Sequence, residues 1–343
     1  MTVAIAPYQP EQAPALIAIW NRALGERFPL TERLWRQNVD GDPNYAPGDG
    51  LVARRADGTI VGFVITRVFR QLASNPDMAT YRALGWLVAL AVAPEEAGHG
   101  IGSELLAAAE ARLREEGATA CDAGGSVGHL LPGPPLANAR ALRFWERHGY
   151  QPEHAVYDLQ RNLRDWVAPP VPDAVQRGEW RLGPARPGQE AAILDFLGRA
   201  FPGRWRYATA TAFAHGVPAG DVVVLEDRGG TVQGFLALWD WRSPVLGPSS
   251  HWFPVLGEQF GGIGPLGIAR EVRGQGLGLA LVAAGARELQ ARGVAECTID
   301  WTGLTGFYGR LGFQTTDGYW RCTPKTLTSR AVGQSGGRAV DLG

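Results

Sequence analysis

The chain has 343 residues, of which 45% are hydrophobic and 20% charged, with 33 Lys and Arg against 34 Asp and Glu. This balance excludes a general attraction to nucleic acid or to an anionic membrane surface. The cysteines and histidines show no ligand spacing, so we expect neither a metal site nor a disulfide framework. No stretch predicts a membrane span, and the start lacks the basic region of a signal peptide. We therefore expect a soluble, cytoplasmic protein with room for two domains.

The first half of the chain predicts an α/β series with short connections. Apolar alternation predicts strands and apolar residues at helical spacing predict helices, while Gly and Pro mark the turns. The predicted elements are a strand at 3–6, a helix from Pro10, a hairpin of 51–54 with 60–68, a strand at 84–92, a Gly-rich turn at 97–102, a helix at 103–116, a strand at 118–123, a helix at 137–148 and a strand at 155–159.

The same series then begins again after a Pro-rich linker at 169–172. The turn at 97–102 recurs at 273–278, an offset of 176, and the aromatic pair at 144–145 recurs at 307–308, an offset of 163. The smaller offset indicates extra residues in the first copy around 126–135. Matching blocks in one order predict a tandem duplication of one α/β unit of about 160 residues. We predict domains at 1–165 and 179–326, a linker at 166–178 and a flexible tail at 327–343.

The turn of the second copy reads Arg273-Gly274-Gln275-Gly276-Leu277-Gly278 and opens a helix predicted at 279–292. A helix start carries backbone N–H groups without intrahelical partners, and glycines leave them uncovered, so this turn predicts a phosphate site. The dinucleotide pattern Gly-x-Gly-x-x-Gly and the P-loop pattern are both absent.

This turn, the pair Phe307-Tyr308 and the following Gly312-Phe313 resemble the motifs of the GNAT family of acetyl-coenzyme A-dependent N-acyltransferases. The resemblance covers nearly the whole chain, once in each copy. It implies two α/β domains with mixed sheets, acetyl-CoA as cofactor and a backbone N–H near Ile268 that stabilises the thioester oxygen. It also implies that strands 265–269 and 296–301 splay apart around the cofactor. The implied cofactor contacts are Leu266, Ile268, Ala269, Arg273, Gly274, Gln275, Gly276, Leu277, Gly278 and Phe307.

The two copies differ where the chemistry is expected. Tyr308 corresponds to the family's general acid, which protonates the leaving thiolate, whereas the first copy has Trp145 at that point. The first copy also has Ala97 in place of Arg273. We therefore predict catalysis in the second copy, and a structural or cofactor-binding role for the first. The contacts that the first copy would supply are Val92, Gly98, His99, Gly100, Ile101, Gly102 and Asn138.

The acceptor is predicted to be a primary amine of a small molecule. Asp300 is the candidate general base, because its strand lines the site in the family. Tryptophan faces stack on sugars and cations, and carboxylates hold ammonium groups. The candidate acceptor contacts are Trp239, Asp240, Trp241, Trp252, Glu258 and Trp301.

The segment 299–308 is similar to tandem GNAT proteins associated with glucosamine acetylation, so amino sugars rank first. Aminoglycosides, polyamines and a mycothiol-type precursor stay open, as does core packing for Tyr308 and for most of the tryptophans. The alternative function is a non-catalytic acyl-CoA sensor or scaffold. The oligomeric state and the acyl chain are also open.

Overall fold

The computed structural model describes residues 3–327. The strands are β1 Ala4–Pro7, β2 Gly50–Arg54, β3 Ile60–Val68, β4 Leu84–Val92, β5 Ala120–Ala123, β6 Gln151–Asn162, β7 Trp180–Pro184, β8 Val222–Asp227, β9 Val232–Asp240, β10 Phe260–Ile268, β11 Glu296–Thr302, β12 Gln314–Thr323 and β13 Lys325–Thr326. The helices are α1 Ala13–Leu24, α2 Glu32–Trp35, α3 Ile101–Glu115, α4 Ala139–Arg147, α5 Asp173–Gln176, α6 Glu190–Ala200, α7 Arg204–Ala214, α8 Phe253–Leu256, α9 Leu277–Ala291 and α10 Thr305–Gly309. Short 3₁₀ and π turns connect them.

The predicted duplication is confirmed by the geometry. In the first sheet the parallel pairing of β4 with β5 ends at Leu87 and Ala123, and in the second the pairing of β10 with β11 ends at Ile263 and Ile299. Both pairs of end points are 176 residues apart, the offset that separates the two Gly-rich turns. The first unit (residues 3–150) and the second unit (residues 180–323) therefore open at equivalent places. The predicted mixed α/β class is confirmed as well.

Each sheet is mixed, because only the pair that follows a helical crossover is parallel. The strand order is β1-β2-β3-β4-β5-β13 in the first sheet and β12-β6-β11-β10-β9-β8-β7 in the second. Helices α3 and α9 cover one face of their sheets. The helix α9 buries Leu281, Val282, Ala286 and Leu289, all at helical spacing, in the core of the second unit.

The two units exchange strands at their ends. The strand β6 follows the first unit in sequence but lies between β11 and β12 of the second sheet. In return β13, at the far end of the described chain, pairs with β5 of the first sheet, and its Lys325 ammonium lies 2.6 Å from Glu110. The strand predicted at 155–159 exists, yet its partners belong to the other unit. The predicted domain boundaries stay predictions, since the sheets do not divide at residue 165.

The predicted tail begins at Leu327, and residues 328–343 lie outside the described part of the chain. Among residues 3–327 no helix combines the length and the apolar character needed to cross a membrane.

Candidate active site

The site begins where β10 and β11 separate. The pairing of β10 with β9 slips between Ile263 and Leu266, and that of β11 with β6 slips between Ile299 and Thr302. Bulges of this kind bend a strand and redirect its side chains. Because both bulges lie just beyond the last parallel pair, they leave the edges of β10 and β11 apart. The splay implied by the family resemblance is present at this place.

The Gly-rich turn adjoins the splay at the start of α9. Gly274 and Gly276 have φ angles of 81° and 76°, which favour glycine, and intrahelical bonding begins with the Ala280 N–H donating to the Gly276 carbonyl. An ideal Cβ on Gly274 would meet no atom within 4 Å. The turn therefore presents uncovered backbone N–H groups at a helix start, the arrangement that binds phosphate.

The side chains of the predicted cofactor contacts divide into two groups. Leu277 and Ala269 are buried in apolar cores, so that only their backbone could contact a ligand. Arg273 is exposed, and its guanidinium donates to the Ile268 carbonyl at 3.3 Å. The other predicted contacts, Leu266, Gln275, Gly278 and Phe307, are half-buried or exposed along β10, the turn and α10.

The first unit repeats this turn and opens a large cleft beside it. Gly98 and Gly100 have φ angles of 96° and 86°, close to those of their counterparts. The cleft has a volume of about 830 Å³ and lies between the unpaired half of β4, the turn and α4. Its lining includes the predicted residues Val92, Gly98, Gly100, Ile101, Gly102 and Asn138. The exposed His99 side chain instead lies 3.2 Å from the Glu96 carbonyl. The Asn138 side chain caps α4 by accepting from the Ala141 N–H.

Tyr308 lies on α10, which is short, and its ring packs edge-on against Phe307 with centroids 4.9 Å apart. The side chain is buried in the second core, and burial together with the nearby Asp300 charge raises the pKa of Tyr308 to about 12. A phenol with this pKa stays protonated at neutral pH and can give a proton to a thiolate. Core packing and an acid role are therefore compatible at this residue.

Asp300 occupies the bulge of β11, directly before Trp301, whose φ of 46° is unusual for a residue with a side chain. Its carboxylate keeps 19% of its surface exposed, and burial raises its pKa to about 6, partly offset by the Arg204 charge. A carboxylate with this pKa is ionised at neutral pH and is a better proton acceptor than an ordinary aspartate.

A histidine of the first unit, His129, lies beside the Asp300 carboxylate. His129 belongs to the loop of extra residues in the first copy, and its Nε2 lies 3.5 Å from the Asp300 Oδ2. The Arg204 guanidinium, which can only donate, lies 3.0 Å from the Nδ1 atom. Nδ1 therefore accepts, and the proton of the neutral ring is on Nε2, facing Asp300. Burial and the neighbouring Arg204 hold the pKa of His129 well below its usual value, so the ring stays neutral.

A second carboxylate reaches the same place from β6. Asp158 accepts the Trp301 N–H at 3.0 Å and the Tyr319 hydroxyl at 2.7 Å. Burial, followed by repulsion from Asp300, raises the pKa of Asp158 to about 7. Sequence reasoning missed Asp158 and His129, because both lie in the first copy. The insertion at 126–135 was the available signal for His129, since extra residues in only one copy suggest a role that the other copy lacks.

The predicted acceptor contacts on β9 have structural partners. Trp239 is buried, and its indole N–H donates to the Gly264 carbonyl at 2.6 Å. Asp240 is buried and ion-paired with Arg242 at 3.1 Å and Arg292 at 3.5 Å. Trp241 packs in the cores and stacks under Arg242. These contacts favour packing roles and leave no carboxylate of this group available for an ammonium.

The remaining predicted contacts lie in different surroundings. Glu258 is exposed in the connection before β10. The guanidinium carbons of Arg204 and Arg321 lie 4.4 Å and 5.0 Å from the centroid of the Trp301 ring. The cation-binding faces of this ring are therefore already in contact with the protein's own arginines. Trp252 lines a small pocket together with Asp300 and Asp158. Of the predicted tryptophans, Trp252 is thus the one that shares a cavity with the candidate base.

Among residues 3–327 no group of three His, Cys, Asp or Glu side chains could hold a metal ion. The candidate site of the second unit therefore consists of acid and base groups, a turn of the kind that binds phosphate, and splayed strands.

Known proteins share this organisation. The chain is 28% identical over 201 residues to a mycothiol acetyltransferase of Streptomyces bingchenggensis, a match that covers 52% of this chain and 61% of that protein. It is 30% identical over 286 residues to a mycothiol acetyltransferase of Salinispora arenicola, covering 79% of this chain and 80% of the relative. A solved structure of a glucosamine N-acetyltransferase region in a fungal multi-domain GH3 β-N-acetylglucosaminidase superposes with a TM-score of 0.82 and 26% identity. That superposition covers 94% of this chain and 38% of the fungal chain.

The family match falls separately on the two units. Residues 14–150 and 191–313 each match the model of the acetyltransferase (GNAT) family. Together these regions span most of the chain and include both Gly-rich turns and both aromatic pairs. The chain therefore belongs to the acetyltransferase (GNAT) family, with one family domain in each of its two units.

Proposed function

We propose that the protein transfers an acetyl group from acetyl-CoA to the primary amine of a small molecule and that its second unit performs the reaction. The observation that carries this proposal is that Asp300 lies at the bulge of β11, where β10 and β11 separate, and that its charge helps to raise the pKa of Tyr308. The first unit has Trp145 and Gly124 at the equivalent positions. A side-chain acid and base are therefore available only in the second unit at these positions.

The second unit has features that suit acetyl-CoA. The N–H groups of the turn from Arg273 to Gly278 would hold the pyrophosphate, and the free edge of β10 at Leu266 and Ile268 would pair with the amide groups of the pantetheine arm. The N–H near Ile268 would stabilise the thioester oxygen. When bound, the cofactor supplies the acetyl group as a thioester.

The proton balance of the reaction assigns roles to two side chains. Asp300 takes a proton from the acceptor ammonium, which frees the nitrogen lone pair to form the C–N bond. The C–S bond breaks, and Tyr308 gives its proton to the departing sulfur. The new amide nitrogen loses one proton, which restores the phenol of Tyr308. The overall reaction yields an amide, a thiol and one proton that Asp300 returns to solvent.

A large cleft belongs to the first unit, away from these side chains. The lining of this cleft includes Glu96 and His148, but at the counterparts of Tyr308 and Asp300 it has Trp145 and Gly124. We therefore place the reaction in the second unit in spite of the volume of this cleft. About 830 Å³ is in the range of about 300–1,000 Å³ that holds cofactors. Arg140 and Arg147 line it and suit a phosphorylated ligand. The first unit would accordingly bind acetyl-CoA without turnover.

The acceptor ranking follows from the remaining chemistry. Trp252 beside two carboxylates suits a cationic amine that carries hydroxyl groups, such as an amino sugar. The glucosamine N-acetyltransferase neighbour supports amino sugars, and the mycothiol acetyltransferase relatives support a mycothiol-type precursor. The rival function, an acyl-CoA sensor, would need the turn but would leave Tyr308 and Asp300 without a role.

The test is thiol release from acetyl-CoA by the full chain across a panel of amines, with glucosamine, a polyamine, an aminoglycoside and a cysteinyl amino sugar. We expect amine-dependent release with at least one of them and formation of the matching amide by mass spectrometry. Tight acetyl-CoA binding without amide from any amine would favour the sensor, and failure to bind acetyl-CoA would contradict both functions.

A further inference from the structure

A small pocket opens at the seam between the two units. It contains side chains from both, and we call it the seam pocket. Six of its residues carry the argument: Arg27, Asp158, Trp252, Thr298, Asp300 and Asp317. Thr298 and Asp300 belong to β11, whereas Asp158 comes from the exchanged strand β6 and Arg27 follows α1 of the first unit. The site of the second unit is thus completed by the first.

Two carboxylates from different strands line the seam pocket. Asp158 and Asp300 both line it, and Asp158 accepts hydrogen bonds from the Trp301 N–H and the Tyr319 hydroxyl. Those two neutral donors hold the Asp158 carboxylate in place without supplying a positive charge. His129, whose Nε2 lies 3.5 Å from the Asp300 carboxylate, is neutral. Arg204 acts on Asp300 from beyond ion-pair distance, and among residues 3–327 neither carboxylate has a Lys or Arg nitrogen within 4.0 Å, so the pair favours a cation.

The mouth of the seam pocket is built differently. Arg27 donates to both carboxylate oxygens of Asp317 at 2.8 Å, so the two charges at the rim satisfy one another. Trp252 and the exposed Val255 form an apolar wall beside this ion pair. Within the described part of the chain, Asp158 and Asp300 are therefore the pocket's carboxylates without a direct ion pair to Arg or Lys.

The size of the seam pocket limits what can enter. Its volume is about 40 Å³. One water needs about 10–15 Å³ of such space, so roughly three non-hydrogen atoms fit. An ammonium nitrogen with the carbons next to it meets that limit, whereas a whole sugar ring does not. The body of a larger acceptor would lie at the mouth, against Trp252.

We propose that the seam pocket receives the ammonium group of the acceptor and that Asp158 holds it beside Asp300. This inference rests on the proposed function, and it makes the acceptor site a product of both units. The acceptor class is a small cationic amine whose charged end is slender. Asp158 is a binding residue here, and Asp300 remains the base.

The proposal gives the pocket a pH dependence. The titratable and charged groups that face the two carboxylates are His129 from the inserted loop, Arg204 from α7, Arg27 after α1, Tyr308 from α10, and Asp317 and Tyr319 from β12. Asp158 has the higher pKa of the two, about 7 against about 6 for Asp300, so it ionises second and holds an ammonium only once the pH has passed that value. Asp158→Asn should therefore move the acid limb of kcat/KM to lower pH, an effect that a purely structural role would not produce.

The kinetic experiment compares Asp158→Asn with Asp165→Asn, an exposed aspartate on the connection after β6. For an amine that the wild type acetylates, we expect Asp158→Asn to raise the amine KM about 10- to 100-fold, the loss of one charged hydrogen bond. The acetyl-CoA KM should change less than about 2-fold, and Asp165→Asn should match the wild type. An unchanged amine KM and pH profile in a folded Asp158→Asn protein would overturn the inference while leaving the proposed function intact.

A binding experiment separates the pocket from the reaction. Calorimetric titrations of the wild-type chain use ethanolamine hydrochloride and glucosamine hydrochloride, with ethylene glycol as the uncharged control. We expect an amine to bind, the glycol not to bind, and the affinity to rise with pH as the carboxylates ionise. Amine binding without any acetyl transfer would contradict the proposed function but would support the seam pocket as an ammonium site. No binding of either amine, or equal binding of ethylene glycol, would refute the pocket.

Discussion

Burial and a nearby positive charge have opposite effects on the pKa of Asp300. Water exclusion raises the pKa of this carboxyl to about 6, while Arg204 acts in the opposite direction. The bulge of β11 and the unusual φ of Trp301 hold the carboxylate in that environment. The residue is thus ionised at neutral pH but close enough to its pKa to accept and release a proton. His129 and Asp158, which surround it, both come from outside the second unit.

This environment predicts the pH dependence of the reaction. Asp300 must be ionised to act as base, so activity should rise as the pH passes through about 6 and then level off, with an apparent pKa that belongs jointly to Asp300 and Asp158. Asp300→Asn should reduce kcat/KM by about 10²-fold or more and keep only the part of the limb that belongs to Asp158. The measurement is kcat/KM for the amine between pH 5 and pH 8. A kcat/KM for Asp300→Asn equal to that of the wild type would assign the base to another group.

The Gly-rich turns are the elements that the two units share most closely. Their positive φ angles agree within about 15°, and each precedes a helix of 15 residues that begins at the equivalent place. The first turn has lost the arginine at Ala97 but has kept the backbone shape. Because phosphate binding in such turns depends on backbone N–H groups, we expect both to hold acetyl-CoA.

Calorimetric titration with acetyl-CoA tests the turns as a matched pair. A β-branched residue at positive φ strains the backbone and covers the N–H groups, so Gly276→Val and Gly100→Val should each remove one binding site. The wild type should bind two molecules per chain. The two variants should melt at similar temperatures, because an ideal Cβ at Gly100 meets nothing within 4 Å and at Gly276 only Pro172, at 3.8 Å. If the wild type binds one acetyl-CoA molecule per chain and only Gly276→Val loses it, the first turn is only structural.

The exchange of β6 and β13 joins the two units into one molecule. The strand β6 lies in the second sheet and brings Asp158 into the pocket that Asp300 also lines, and β13 closes the first sheet. Each unit expressed alone would lack a strand and expose a sheet edge. The two units are therefore best compared by single substitutions in the full chain.

Several parts of this arrangement could be predicted from the sequence, because each depends on residues that are close together in the chain. The duplication, the turn ending at Gly278 and the pair at Phe307 and Tyr308 are short patterns that the chain repeats. The exchange of β6 could not be predicted, since its apolar alternation would suit either sheet. Asp240 is predicted to face the acceptor because tryptophans flank it in the sequence. Its partners are instead Arg242, in the turn after β9, and Arg292, at the end of α9. Asp158 becomes visible only when the exchange is known.

The central claim is that only the second unit catalyses acetyl transfer, with Tyr308 as its general acid. The direct measurement is steady-state thiol release by Tyr308→Phe in the full chain, beside Tyr45→Phe as a control in the first unit. We predict that Tyr308→Phe lowers kcat by about 10²-fold or more while the calorimetric affinity for acetyl-CoA is retained, and that Tyr45→Phe keeps the wild-type rate. A kcat for Tyr308→Phe equal to that of the wild type would contradict the assignment of catalysis to this residue.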